Sequence, residues 1–414
     1  MKRKSFFSDN SKEQALPAVR RLTANALLFS EQRGALMCDC DVELALDHLH
    51  HAREHDSDSK FKLNRRTLLA AAGAGVLAST LSASFVSRAN ADPSTRGKFR
   101  VGFIAEPAHG LHFLAREKGY FRDEGLDVEL LQFKSAGEGV IALKSGQLDI
   151  GTFGSAAPLL YISQGVPFTI FGGMMLGGQA ILTRPERLSE LKTLENYRGK
   201  KVALVKLSTG DVVFRLALKK AGLDPTKDFT RIEFPSPGTV VEAVLKGEVD
   251  AGIVFSPHFS LAEKRGLSVA HYIADFHPNY TCCRLTANTA DYNERKEEYG
   301  KFLSALIRAY KFYRTNEDET VKIFTDALKI DEDVIRKDTY TNRTFESNPD
   351  PLRKGTLEFW QAMIDSDYVA NKAYPVAEHI DTATYKSALD AIVAKEPTDK
   401  VYAEMVAFYN ANNA

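Results

Sequence analysis

The chain predicts an α/β fold: two similar α/β lobes joined by a hinge around a ligand cleft, with helices added at the C-terminus. Three observations carry that prediction. First, residues 140–155 (VIALKSGQLDIGTFGS) recur at an offset of 101 as residues 241–255 (VEAVLKGEVDAGIVF). With Gly146 placed on Gly247, Leu148-Asp149 falls on Val249-Asp250 and Gly151 on Gly252. Each copy reads as the end of an amphipathic helix, a glycine stop, an acidic turn residue and a short apolar strand. Second, the same offset pairs Val101-Gly102-Phe103-Ile104 with Val202-Ala203-Leu204-Val205, so a whole strand–helix unit repeats. Third, 414 residues that are 44% hydrophobic and 26% charged are enough to bury two cores.

Net charge is zero, so nothing in the balance points to nucleic acid. Of the four cysteines, Cys38 and Cys40 lie near the N-terminus and Cys282 and Cys283 are neighbours. Neighbouring cysteines rarely meet disulfide geometry without strain, so this is no disulfide scaffold. Residues 64–91 begin with Arg65-Arg66, continue in a charge-free Ala/Gly/Ser-rich run and end in Ala89-Asn90-Ala91. The pattern resembles a twin-arginine signal peptide, with export to the periplasm and cleavage after Ala91. The run is too poor in large apolar residues to favour a membrane anchor. Residues 1–63 read as a disordered pre-signal extension, or as the result of an early start with Met37 as an alternative. Their Cys38, Cys40 and His48–His55 cluster invites a metal reading, but a disposable polar segment is preferred. Any such site would leave with the signal.

From Lys98 the elements follow in order. Residues 98–104 form a strand, 111–118 a helix stopped by Gly119, and 126–133 a second strand. The helix ending at Lys144 leads to a strand over 149–153. Residues 168–172 are another strand, 174–179 a flexible stretch with Gly177-Gly178, and 180–183 a strand leaving the first lobe. The second lobe repeats this with strands at 202–205, 229–234 and 251–255 and helices starting near Val212 and Thr239. Residues 268–286 cross back. Helices over 300–314 and 382–394, the latter with Asp381 as N-cap, and a further one containing Trp360 cover the first lobe and hinge. The expected division is lobe 1 at 92–184 and 285–414, and lobe 2 at 185–284.

Several short stretches carry a family resemblance: Glu117-Lys118-Gly119-Tyr120-Phe121, Glu124-Gly125-Leu126-Asp127-Val128-Glu129, Gly146-Gln147-Leu148-Asp149-Ile150-Gly151, Gly154-Ser155, Gly165-Val166-Pro167 and Gly199-Lys200-Lys201-Val202-Ala203. In their order and spacing the chain resembles the substrate-binding proteins of ABC importers for taurine, alkanesulfonates, nitrate and related solutes. The resemblance implies a type-II periplasmic-binding-protein fold, a monomer, delivery of a small solute to an inner-membrane permease, and no catalysis.

In open α/β sheets ligands bind beyond the carboxyl ends of strands. Four loops fall there, which makes Glu106, His109 and Gly110, Gly154, Ser155 and Ala156, Ser208, Thr209, Gly210 and Asp211, and Ser256 and Pro257 the candidate ligand-binding residues. Helix N-termini and small hydroxyl residues can hold an oxyanion without a cationic side chain. The same residue types are also ordinary N-caps. Glu106 departs from a plain oxyanion pocket, because a carboxylate repels a sulfonate. Either it points away, or the ligand carries a positive group such as an amine, or the ligand is a heteroaromatic that bonds Glu106 and His109. The loop is similar to that of receptors for thiamin-type pyrimidines. Cys282-Cys283-Arg284 reads as a buried crossing strand rather than as an anion clamp. An enzyme on the same fold, like the pyrimidine-precursor synthases, is the competing class; their longer cysteine motif is absent. The linear spacing of residues 92–414 suggests no metal and no cofactor.

Overall fold

A computed structural model describes residues 98–413. The expectations for residues 1–63 and 64–91 lie outside them. β1 (Phe99–Ile104), α1 (Gly110–Glu117), β2 (Val128–Phe133), α2 (Ala136–Lys144), β3 (Ile150–Gly154) and α3 (Ala156–Ser163) build the first half-sheet. β4 (Phe168–Gly173), the short β5 (Met175–Gly177) and β6 (Gln179–Thr183) carry the chain across. The pattern then repeats as β7 (Lys201–Val205), α4 (Thr209–Lys220), β8 (Thr230–Phe234), α5 (Pro237–Leu245), β9 (Ala251–Phe255), α6 (His258–Lys264) and β10 (Ser268–Tyr272). β11 (Cys283–Asn288) returns to the first sheet. The longest helix, α7 (Lys296–Thr315), then leads to α8 (Glu317–Leu328), β12 (Phe345–Ser347), α9 (Arg353–Asp365), α10 (Ala383–Lys395) and α11 (Lys400–Asn412).

The two five-stranded sheets run β2-β1-β3-β11-β4 and β8-β7-β9-β6-β10, the same order when read from corresponding edges. The two acidic-turn strands, β3 and β9, therefore lie in different sheets. In each sheet the first three strands in that order are parallel, and the fourth, β11 or β6, is antiparallel to its neighbours. The repeat extends to single hydrogen bonds. Asp149 Oδ2 accepts from the Arg100 N–H at 2.7 Å, and Asp250 Oδ2 from the Lys201 N–H, also at 2.7 Å. The N–H of each aspartate donates back to the carbonyl of the same residue. The carboxylate thus ties the turn to the start of the lobe's first strand, which is why both copies carry Asp. Gly146 and Gly247 precede it with φ of 75° and 72°, a left-handed turn that a side chain would strain. Ser135 and Ser236, 101 residues apart, cap α2 and α5 in the same way.

One boundary differs from the sequence reading. The strand at 180–183, expected to leave the first lobe, pairs with β9 and β10 in the second sheet. The crossing comes earlier, at Met174–Gly178. There Gly177 and Gly178 hold positive φ, and β5 is flanked by β12 on one side and a bridge to Thr281 on the other. An antiparallel return strand belongs to the sheet opposite the lobe that precedes it in sequence, and a linear pattern does not carry that exchange. The expected Asp381 cap acts one residue early: Thr382 is the N-cap, while Asp381 Oδ1 accepts from the Thr384 N–H at 2.9 Å. The first lobe's core is continuous with the C-terminal helices: Phe99 and Phe121 pack on Phe302, and Phe99 also on Tyr299, both residues of α7. The second lobe has a smaller core of its own around Val205, Val240, Val254 and Phe259. Among the described residues no helix is long and apolar enough to cross a membrane.

Candidate ligand-binding cleft

The carboxyl ends of β1 and β3 face those of β7 and β9 across a narrow cleft. Larger cavities lie behind the hinge, near Tyr310 and Arg343 and near His277 and Glu358, away from the strand ends. Of the candidate residues, the cleft is lined by Glu106 and Gly154 from the first lobe and by Ser208 and Thr209 from the second. The lobes approach closely there. A Cβ on Gly154 would lie 2.6 Å from Thr209 Oγ1.

Ser208 is the N-cap of α4, but its side chain does not cap the helix. Its Oγ accepts instead from Gln179 Nε2 at 3.2 Å, so no side chain caps the first turn of α4. Thr209 is 1% exposed and its hydroxyl has no protein partner. That wall therefore offers a donor hydroxyl and the positive end of a twelve-residue helix. The opposite wall is the reverse in character. Glu106 is 2% exposed. His109 Nε2 lies 3.0 Å from Glu106 Oε1 but out of line for a hydrogen bond. The imidazole is oriented by its Nδ1, 3.1 Å from both the N–H and the carbonyl of Ile104. Cys283 Sγ lies 3.7 Å from the same Glu106 oxygen. A hydrogen bond to Cys282 and burial push the Cys283 thiol well above the usual thiol range, so it is protonated and can donate.

The structure does not bring the other candidates to the cleft wall, and in each case another contact explains why. His109 sits behind Glu106. Gly110 lies where any side chain would enter the ring of Phe324 in α8. The Ser155 hydroxyl is committed to the carbonyl of Cys282. Ala156 is buried at the start of α3. Gly210 packs against Gln179. Asp211 pairs with Arg231 Nη2 at 2.7 Å; burial raises its pKa and Arg231 opposes that rise. The Ser256 hydroxyl donates to Asp338 Oδ2 at 2.6 Å, joining the second lobe to the C-terminal region. Pro257 caps α6.

The cleft also contains residues outside the sequence-predicted candidates. Gln179 and Cys283 head the return strands β6 and β11, opposite Phe255 and Gly154. They are equivalent positions in the two sheets, but 104 residues apart rather than 101, so the repeat does not align them. Lys206 supplies the one cation among the lining residues. Cys282 and Cys283 lie at a buried crossing strand as expected, yet both line the cleft. Arg284 does not. Its guanidinium is 1% exposed and donates to the carbonyls of Asp350 and Met175, at 3.0 and 2.8 Å. Burial lowers its pKa to about 10.

Two sheets of matching strand order, joined by crossing strands and facing each other across a cleft, define the periplasmic-binding-protein fold. The chain belongs to the NMT1-like family, whose model matches residues 92–325. It is 26% identical over 267 residues to a protein of Brucella abortus (strain 2308) provisionally named a binding protein, covering 63% of this chain and 82% of that one. It is 30% identical over 165 residues to the taurine-binding periplasmic protein of Escherichia coli (strain K12), covering 39% and 48%. Over 158 residues it is 27% identical to the 4-amino-5-hydroxymethyl-2-methylpyrimidine phosphate synthase of Schizosaccharomyces pombe, covering 37% and 43%. Among solved structures it is similar to the periplasmic nitrate-binding protein NrtA of Synechocystis PCC 6803, with a TM-score of 0.63, 17% identity and coverage of 73% and 91%.

Proposed function

We propose that the protein is a solute receptor: exported by the twin-arginine route, it closes its two lobes on one small molecule in the periplasm and delivers it to the permease of an ABC importer. The observation that carries this is the opposed character of the cleft walls. A buried carboxylate, Glu106, faces an uncapped helix start with the free Thr209 hydroxyl. A simple inorganic anion satisfies only the second wall. A ligand with a donor or cationic end toward Glu106 and an acceptor or anionic end toward α4 satisfies both. An aminosulfonate such as taurine has that form. A thiamin-type aminopyrimidine has it too, and the pairing of Glu106 with His109 and the similarity to the pyrimidine synthase support that second reading.

Calorimetry with taurine, alkanesulfonates, nitrate and hydroxymethylpyrimidine tests the reading. The expectation is micromolar or tighter binding of one amine-bearing ligand, little binding of nitrate, and at least a tenfold loss of affinity in Glu106→Gln (about 1.4 kcal/mol). Tightest binding to nitrate, unchanged in Glu106→Gln, would overturn it.

A further inference from the structure

Glu106, His109 and Cys283 place a carboxylate oxygen, an imidazole nitrogen and a sulfur within 4.8 Å of one another, all buried. The three come from the loop after β1, the turn before α1 and the first residue of β11, so no linear spacing announces them. We propose that these residues bind one divalent ion of the zinc class, with the fourth coordination position open to the cleft.

A tetrahedral ion with bonds of about 2.0–2.3 Å to O, N and S keeps its ligand atoms roughly 3.3–3.8 Å apart. Here Glu106 Oε1 is 3.0 Å from His109 Nε2 and 3.7 Å from Cys283 Sγ, each within a few tenths of an ångström of that spacing, and all three ligand atoms lie within 4.8 Å of one another. His109 Nε2 is fully buried, lacks an aligned hydrogen bond and points at the cluster. The opposite ring nitrogen, Nδ1, lies 3.1 Å from the carbonyl of Ile104 and can donate to it, the second bond that a metal-binding imidazole makes. Mixed oxygen, nitrogen and sulfur donors suit a borderline divalent ion rather than magnesium or calcium. A carboxylate and a thiolate neutralise its charge, the thiol proton leaving to solvent as the ion binds. Glu106 and Cys283 line the cleft, so the free position faces the space where a solute sits; with the ion in place, a neutral amine or ring nitrogen of the solute would meet the ion instead of a cationic end meeting Glu106.

The test uses the full-length chain carrying Cys38→Ser and Cys40→Ser, in which Cys282 and Cys283 are the remaining thiols. Cobalt(II) is the probe, because a thiolate–cobalt charge-transfer band reports sulfur ligation even if the histidines near the N-terminus also take up metal. The expected result is one thiolate-ligated equivalent per chain, retained in Cys282→Ala and lost in Cys283→Ser. His109→Gln is expected to weaken zinc binding at least tenfold against a chelating dye. X-ray absorption of the zinc-loaded parent chain covers the case of a variant that does not fold: a zinc–sulfur shell supports the proposal. Absence of the charge-transfer band, its persistence in Cys283→Ser, or a purely nitrogen and oxygen zinc shell would overturn it. None of these readouts depends on which solute the cleft binds.

Discussion

Replacing Gly154 with alanine tests whether the cleft works by closure. Gly154 ends β3 in the first lobe, and Thr209 opens α4 in the second. The new Cβ would stand 2.6 Å from Thr209 Oγ1, against the 3.4 Å at which ordinary contact begins. The two walls must then part by roughly 0.8 Å, or the threonine must leave its rotamer. Overpacking of this kind costs about 1–3 kcal/mol. The cost falls on the closed state alone, because an open cleft separates the two residues. Since each 1.4 kcal/mol is a factor of ten, solute affinity should fall roughly 5- to 150-fold. The fold should not suffer. Gly154 has no positive φ, and removing a glycine lowers the entropy of the unfolded chain, so the melting temperature without ligand should hold or rise slightly. Calorimetry gives the affinity and thermal unfolding the stability. A double-mutant cycle completes the test. Thr209→Ala removes the clashing oxygen, so Gly154→Ala should cost far less in that background. Wild-type affinity in Gly154→Ala, or strict additivity with Thr209→Ala, would refute the closure argument.

Three further outcomes are expected. Asp250→Ala removes the acceptor for the Lys201 N–H and the ion pair with Arg187, and should destabilise the second lobe by about 1–3 kcal/mol; hydrogen exchange should quicken in β7 and β9 but not in β1 and β3. Burial, with the nearby His109 adding to it, holds the His112 pKa well below the usual imidazole range, while the unfolded chain takes up the proton near pH 6.5. The unfolded state thus binds more protons below that pH, and stability should fall on acidification by up to about 1.4 kcal/mol per pH unit; His112→Leu should flatten the melting temperature between pH 6.5 and 5, and an unchanged slope would contradict this. Arg284→Ala leaves the carbonyl of Asp350 buried without its donor, while that of Met175 keeps the Cys282 N–H, and should cost about 1–3 kcal/mol, seen in denaturant unfolding, without altering solute affinity in the folded fraction.

What could be read from the sequence is what repeats locally. The glycine stop, the acidic turn and the strand after it recur 101 residues apart because each lobe solves the same problem, seating its third strand against its first. Asp149 and Asp250 do this with the same pair of hydrogen bonds. Strands with their helices, caps and the cleft-facing ends at Glu106, Gly154, Ser208 and Thr209 follow from such short-range patterns. The tertiary structure alone decided which sheet each crossing strand joins. Antiparallel return strands exchange between lobes, so β6 and β11 deliver Gln179 and Cys283 to the cleft from positions outside the repeat. It also decided which hydroxyls are free. Ser155 and Ser256 look like cleft residues until Cys282 and Asp338, more than eighty residues away in each case, are seen to occupy them. A side chain's bonding capacity is claimed by whatever the fold brings nearest, and sequence separation says little about which residue that is.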